Sequence, residues 1–327
     1  MDTIRWGILG TGRIASDVTH DLKRLSAADV VAVGSRKAAT ADAFADRFDI
    51  PHRHASYAAL VEDPAVDVVH IATPHVFHAT HAMRAIEAGK AVLCEKPLAL
   101  NASEADRLIA SARAHNVFLM EALWTRFLPV MHRVRTLLSD GAVGAVQAMQ
   151  ATIGAPTPFD PRHRLYDPAL GGGALLDLGI YPIALAFDVL GPPDAHTSTA
   201  ALAPTGVDAQ CGAVFSYNSG AQAVWHASLR ADLGRTCSIA GPDGRLEGTR
   251  AWWKGAPFTW TRADGTTQRI AAPFEGNGYQ FEARHVMRCL REGRTESPVL
   301  PLDESRAMAA VMDALRAGWG VEYPQEA

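Results

Sequence analysis

The run Ile4-Arg5-Trp6-Gly7-Ile8-Leu9-Gly10-Thr11-Gly12-Arg13-Ile14-Ala15 decides the fold. Its first half is a short apolar strand, and its second half is a G-x-G-x-x-A turn that opens a helix near Arg13. Gly10 permits the tight turn, Gly12 lets the backbone approach a pyrophosphate, and the small Ala15 lets the helix pack on the strand. Arg13 and Ile14 begin a helix whose free N–H groups and positive dipole end attract an anion. By itself this spacing marks only a turn. After a strand, before a helix and at the head of a βαβ unit, it marks dinucleotide binding.

Outward from that turn, strand candidates at 30–34, 66–72, 91–94 and 117–120 alternate with helical stretches at 39–48, 76–88 and 103–115. Gly89 ends the second of these helices. Strands that read as continuous Val/Ile/Leu runs are buried on both faces, and alternation with helices predicts a doubly wound parallel sheet. This Rossmann-type domain is expected over residues 1–122. From 123 to 327 the texture changes: a helix over Pro129–Ser139, a strand at 146–153 and a helical stretch at 173–190 come first. Seven β-rich runs follow between 195 and 271, separated by turns such as Asn218-Ser219-Gly220 and Ala263-Asp264-Gly265. Two helices near 279–292 and 303–318 close the chain, the last with Asp303 as N-cap and Gly318 as stop. The fold class is therefore α/β, a parallel Rossmann sheet plus an α+β domain with an open-faced, mainly antiparallel sheet.

A chain of 327 residues exceeds the size at which one core keeps growing, in agreement with two domains. The net charge of −4 offers no basic footprint for nucleic acid, and the apolar runs are too short and too interrupted for a membrane span. With an acid at Asp2 and Arg5 inside a strand-like run, no secretory leader is expected. Cys94, Cys211, Cys237 and Cys289 are scattered without a C-x-x-C pair, as expected of reduced thiols in a cytoplasmic protein; Cys94 is expected to be an inert buried thiol. His75, His78 and His81 follow one helix at i, i+3 and i+6 and are not expected to converge on an ion, so no metal site is expected. Trp252, Trp253 and Trp260 are expected at an interface.

Cofactor choice rests on the tip of the second strand, Ser35-Arg36-Lys37. An acid there binds the ribose 2′-OH of NAD, whereas cations accept the 2′-phosphate of NADP. Ser35 can donate to that phosphate, and Arg36 can grip it while stacking on adenine. NADP is expected, with NAD the alternative.

Two further motifs carry chemistry. In Ala91-Val92-Leu93-Cys94-Glu95-Lys96-Pro97, Lys96 follows a strand end, where doubly wound folds open their ligand crevice. Its ammonium can donate to a substrate oxygen, or simply pair with Glu95 at the surface. In Gly171-Gly172-Gly173-Ala174-Leu175-Leu176-Asp177-Leu178-Gly179-Ile180-Tyr181, an α-helix from Ala174 would stack Asp177 and Tyr181 at i and i+4. A phenol titrating near ~10 and brought down by a cation is a candidate general acid/base. Taken alone, the segment reads equally as a capped helix with its Tyr in the core.

Together these stretches resemble the Gfo/Idh/MocA oxidoreductase family, over essentially the whole chain. The resemblance runs through 7–12, Ala72-Thr73-Pro74 with His78, Ala88-Gly89-Lys90, Glu95-Lys96-Pro97 and 171–181. The stretch Met120-Glu121-Ala122-Leu123-Trp124-Thr125-Arg126-Phe127 is similar to the branch of dimeric dihydrodiol dehydrogenases, NADP-dependent D-xylose dehydrogenases and glucose–fructose oxidoreductase. It implies Lys96 and Tyr181 as a catalytic pair with Asp177 beside them, and Thr73, Pro74, His78 and Glu95 at the cofactor. Many family members carry His where this chain has Tyr181, and Tyr agrees with the dihydrodiol/xylose branch. Glucose–fructose oxidoreductase is exported with an extension that wraps its cofactor; this chain begins without one, so an exchanging cofactor and a cytoplasmic location are expected.

The reading that follows is hydride transfer between NADP and a CH–OH group of a small cyclic polyol, trans-dihydrodiol or aldose. Tyr181 handles the hydroxyl proton, Lys96 steadies the oxyanion, and Trp124, Arg126, Phe127 and Tyr166 wall the substrate. The alternatives are an aldose 1-dehydrogenase specifically, or a non-catalytic NADP-sensing regulator on the same fold. Neither nucleic acid nor membrane is expected as a partner. A homodimer or dimer of dimers through the C-terminal sheet is implied.

Overall fold

A computed structural model describes residues 3–326; the acid read at Asp2 lies outside the described residues. The chain divides into two compact units, Met1–Trp124 with Glu275–Ala309, and Thr125–Phe274 with Ala310–Ala327. This division differs from a single boundary at 122/123 in that residues 275–309 return to the first unit.

The first unit holds β1 (Ile4–Leu9), α1 (Arg13–Leu22), β2 (Ala28–Gly34), α2 (Ala38–Phe48), β3 (His52–His54), α3 (Tyr57–Val61) and β4 (Val68–Ile71). It continues with α4 (His78–Glu87), β5 (Ala91–Glu95), α5 (Ala102–His115) and β6 (Leu119–Ala122). Its six strands are parallel in the order β3-β2-β1-β4-β5-β6. The order reverses between β1 and β4, the switch point at which open α/β sheets bind ligands. Val69, Ile71, Val92 and Leu119 are buried between helices on the two faces, which is why these strands are apolar at nearly every position. Strand β3 and α3 escape sequence reading because His-Arg-His and a one-turn helix carry no periodic signal.

A buried carboxylate is among the contacts that hold residues 275–309 to this unit, beside the ion pairs Arg113–Asp303 and Arg306–Asp106. Asp21 of α1 accepts the N–H groups of Asn277 and Tyr279, each at 2.9 Å from one of its oxygens, at the start of the next-to-last long helix.

The second unit holds α6 (Pro129–Ser139), β7 (Ala148–Gly154), α7 (Ile180–Leu190), β8 (Ala195–Leu202), β9 (Asp208–Ser216) and β10 (Gln222–Ser228). Strands β11 (Cys237–Gly241), β12 (Gly244–Gly248), β13 (Phe258–Arg262) and β14 (Thr267–Ile270) follow; of the closing helices, α8 (Tyr279–Arg291) belongs to the first unit and α9 (Leu302–Trp319) spans the division after Ala309. Its eight strands run β14-β13-β12-β11-β7-β10-β9-β8, antiparallel except for β7 beside β10. Burial alternates along β9 and β10, so one face of the sheet is packed and the other is open.

Three local expectations change. The stretch 173–190 is not one α-helix: a π turn, Leu175–Gly179, precedes α7. The run Pro168–Leu190 is apolar enough by composition to cross a membrane, but it is largely buried inside its own unit. Helix α9 starts at Leu302, which puts Asp303 inside its first turn, and the left-handed residue after it is Gly320, φ +70°, rather than Gly318.

Candidate active site

The ends of β1, β2 and β4 meet at the glycine turn. The Gly10 N–H donates to Gly34 O at 3.0 Å, and the Ala72 N–H donates to Leu9 O at 2.9 Å. Gly10 has φ +113°, and a Cβ there would stand 2.7 Å from Ala72 O, so only glycine fits. Gly12 is the reverse case: a Cβ would meet nothing within 4 Å. It caps α1 without a side-chain partner, and no acid sits in the first turn. Uncapped N–H groups, a positive helix end and open space beside Gly12 fit a pyrophosphate. Ala15 is fully buried, Ile14 half-buried, and Arg13 exposed with a loose 3.7 Å ion pair to Asp17.

At the tip of β2, Ser35 is buried and its Oγ lies 2.5 Å from Thr40 Oγ1, which itself donates to Lys37 O at 2.9 Å. Ser35 must then be the donor in its pair, so its one hydroxyl proton is committed inside the chain. In this arrangement the proton expected to reach a phosphate is engaged by Thr40. Arg36 and Lys37 are exposed, and no acid stands between them and Gly34. The tip suits a phosphate through its cations.

His78 ties two motifs together. The ring is fully buried, with Nδ1 2.7 Å from Pro97 O and Nε2 2.8 Å from Thr73 O. Burial pushes its pKa below the ordinary imidazole value despite those carbonyls, so the neutral ring donates its single N–H to one of the two. Thr73-Pro74 and Glu95-Lys96-Pro97 are thereby fixed at one end of the sheet. Lys96 is half-buried just past β5, and its peptide bond to Pro97 is cis. Glu95 is buried with Oε1 3.2 Å from His70 Nε2.

Sequence reasoning missed two acids here. Glu121 on β6 accepts the Leu98 N–H at 2.9 Å, and burial raises its pKa to about 7. Glu282 on α8 is fully buried; burial, then the charges of Glu95 and Asp21, push it well above the carboxylate range. Glu121 lies in the stretch 120–127 without being singled out there, and Glu282 lies in no motif; the state of each is set by what surrounds it. Cys94 is buried, and burial pushes its thiol up, as an inert thiol requires. Trp124, also of this unit, is buried with its ring 4.7 Å from Tyr279.

In the second unit, the entry to α7 is crowded. Gly173 has φ +123°, and a Cβ there would lie 2.3 Å from Asp208 Oδ1. The buried Asp208 accepts the Leu175 N–H at 2.6 Å, and its pKa is raised by burial to about 6. Tyr323 donates its hydroxyl to Gly172 O at 2.6 Å. A π turn over Leu175–Gly179 carries Asp177 and leads into α7, which carries Tyr181, so the spacing between them is not that of one continuous α-helix. Asp177 accepts from Arg164 Nη1 at 3.0 Å, a partner invisible to spacing arguments. Tyr181 is buried on the first turn of α7 with its ring 6.3 Å from Trp253. Trp252 and Trp253 are both buried, and Trp260 is half-buried.

Among the expected wall residues, Arg126 is buried and holds α7: Nη2 donates to Ala184 O at 3.2 Å and Nη1 lies 3.4 Å from Asp188 Oδ1. Phe127 is half-buried. Tyr166 donates its hydroxyl to Thr157 O at 2.9 Å and packs edge-on against the half-exposed Phe159.

Comparison with known proteins bears on all of this. The family described as "Oxidoreductase family, NAD-binding Rossmann fold" matches residues 4–123, and the GFO/IDH/MocA C-terminal domain matches 131–247. The chain is 37% identical to trans-1,2-dihydrobenzene-1,2-diol dehydrogenase of Mus musculus over 99% of each chain, and 36% identical to that of Homo sapiens over 99% of each. Among solved structures, it is similar to KijD10, a 3-ketoreductase from Actinomadura kijaniata in complex with TDP-benzene and NADP. That likeness has a TM-score of 0.85 and 27% identity over 97% of this chain and 98% of that one. The aldose-aldose oxidoreductase from Caulobacter crescentus shares the fold, with a TM-score of 0.88 at 24% identity over 96% and 97%. With a dinucleotide turn in one unit, a mixed open sheet in the other and full-length relatives, the chain belongs to the Gfo/Idh/MocA oxidoreductase family.

Proposed function

We propose that this oxidoreductase uses NADP to move hydride to or from a CH–OH group of a small cyclic diol or polyol, with a trans-dihydrodiol as the leading substrate class. The observation that carries the substrate class is the 37% identity, over 99% of both chains, to a trans-1,2-dihydrobenzene-1,2-diol dehydrogenase. NADP over NAD is supported by the exposed Arg36 and Lys37 and the lack of an acid at the β2 tip. When bound, the nicotinamide supplies the hydride chemistry.

The chain's own residues bind, orient and carry the proton. The turn at Gly10 and Gly12, with the first N–H groups of α1 at Arg13 and Ile14, holds pyrophosphate. Arg36 and Lys37 grip the 2′-phosphate. Thr73, Pro74, His78 and Glu95 shape the cofactor's seat around the strand ends. Lys96 donates to the substrate oxygen and steadies negative charge as it develops there. Tyr181 takes the hydroxyl proton on oxidation and returns it on reduction. Asp177, held by Arg164, positions the substrate hydroxyl. Trp124, Phe127 and Tyr166 line the substrate, while Arg126 supports α7.

The test is a panel of trans-dihydrodiol, D-xylose and D-glucose, each with NADP and with NAD. Preferential oxidation of the dihydrodiol with NADP is expected. Turnover of an aldose alone assigns an aldose 1-dehydrogenase instead. Tight NADP binding with no turnover across the panel assigns a sensor.

The open face of the eight-stranded sheet supports a homodimer: Val224, on its exposed side, is 42% accessible. Val224→Lys is expected to shift sedimentation toward monomer. The four cysteines are all buried and free, which supports the reducing cytoplasm as its location.

A further inference from the structure

Beside the β2 tip, the edge of the first unit's sheet carries a second polar cluster. Strand β3 is only three residues long and pairs with β2 alone, Ala32 opposite His52 and Gly34 opposite His54. In a strand, residues two apart share a face, so both imidazoles project to one side. Asp63, two residues beyond the end of α3, completes the group. Its Oδ2 lies 2.6 Å from His52 Nδ1 and 2.8 Å from His54 Nε2, and the three donor atoms fall within 4.8 Å of one another.

The carboxylate is built in, not loose. Its side chain is 5% exposed, its Oδ1 accepts the Ala65 N–H at 2.8 Å, and Lys90 Nζ donates to the main-chain oxygens of Asp63 and Val66. Burial alone would raise its pKa, but hydrogen bonds from His52, Ala65 and His54 outweigh that and hold it at about 2. His52 is 44% exposed and His54 21%, which leaves an entry path from solvent.

We propose that His52, His54 and Asp63 form a divalent transition-metal site, taking Zn²⁺ through His52 Nδ1, His54 Nε2 and Asp63 Oδ2. Two neutral imidazoles and one carboxylate suit Zn²⁺, Co²⁺, Ni²⁺ or Cu²⁺, whereas Ca²⁺ and Mg²⁺ need more oxygens. Ligand bonds of ~2.0–2.2 Å around a tetrahedral ion put donor atoms roughly 3.4 Å apart, a spacing that side-chain rotation reaches from the present cluster. Water fills the remaining position. The proton balance is simple: each neutral imidazole moves its proton from the nitrogen facing Asp63 to the other ring nitrogen. At acid pH an imidazolium must release a proton first, so affinity falls there. The site also touches the cofactor tip, because His54 O accepts the Ser35 N–H at 3.1 Å.

The test is calorimetric titration of the chelator-stripped protein with ZnCl₂, alongside Co²⁺ titration followed by its visible d–d bands. One Zn²⁺ per chain, weakened at pH 5.5, with Co²⁺ bands of four-coordinate intensity, is expected. His52→Gln, at an exposed position, and Asp63→Asn should each weaken Zn²⁺ by ~10-fold or more. Thermal unfolding should rise with Zn²⁺ in the wild type and not in either variant. Equal Zn²⁺ binding by the wild type and His52→Gln, or binding insensitive to pH between 5.5 and 7.5, would overturn the site. So would no binding at all, which leaves the trio a hydrogen-bonded cluster.

Discussion

At residues 10–15 a glycine turn leads into α1 with open space beside Gly12, whereas at 171–181 a glycine turn leads into α7 through backbone so crowded that a methyl on Gly173 would strike Asp208. In the first, the protein leaves room for a guest, and the partners of the free N–H groups come from outside. In the second, the partners are the protein's own: Asp208 takes the Leu175 N–H, Tyr323 takes Gly172 O, and Arg164 takes Asp177. A short motif therefore describes the first turn well. The second depends on residues spread from 164 to 323, and only its glycines and Tyr181 announce themselves in sequence.

The comparison can be broken most directly at Tyr181. Tyr181→Phe is expected to lower kcat by at least ~100-fold while leaving NADP affinity nearly unchanged, measured by steady-state kinetics and cofactor fluorescence titration. Unchanged kcat would remove the second turn from the chemistry altogether.

The two glycines separate ligand space from structural crowding. Gly173→Ala should cost about 2–3 kcal/mol in chemical denaturation, from a strained φ and the clash with Asp208. Gly12→Ala should leave the denaturation midpoint in place but weaken the dinucleotide by ~10-fold or more. If Gly12→Ala also unfolds the protein, the open space beside it is not reserved for a ligand.

Glu121 sharpens the comparison on the first unit's side. Its folded pKa of about 7 lies above the ordinary 4.5, so the folded state favours the protonated acid. Stability is then fully present below pH ~4.5, declines as pH rises toward 7 and stays reduced above it. Glu121→Gln, which keeps an acceptor for the Leu98 N–H, should gain about 3 kcal/mol over the wild type at pH 8 and nothing at pH 4. Parallel stability curves for the two proteins would contradict that titration.

The smallest effect is expected at the β2 tip. Arg36→Ala should reduce the preference for NADP over NAD by ~10-fold through loss of one charge-assisted hydrogen bond. Ser35→Ala should change it little, because that hydroxyl already donates to Thr40.

Much of this was legible in the chain. Strands and helices of the first unit follow from apolar runs alternating with amphipathic ones, and Pro129–Ser139 and Phe258–Arg262 coincide with α6 and β13. Among the residues that a motif announced, Gly10 is one whose type the backbone geometry demands. What stayed hidden shares one cause. Ser35's commitment to Thr40, the π turn at Leu175–Gly179 and the acids Glu121 and Asp208 are fixed by neighbours remote in sequence or by backbone detail that no periodicity encodes.

The grip of Asp21 on Asn277 and Tyr279 has a consequence for synthesis. The first unit is the earliest to leave the ribosome, yet about 150 residues, Thr125–Phe274, must be translated before its last segment exists. At ~5–20 residues per second this leaves roughly eight to thirty seconds during which a carboxylate destined for burial stays solvated and the surface meant for α8 is bare. Maturation of the nucleotide-binding half thus waits on the far end of the message, and a nascent chain stalled near residue 274 would emerge with that half unfinished.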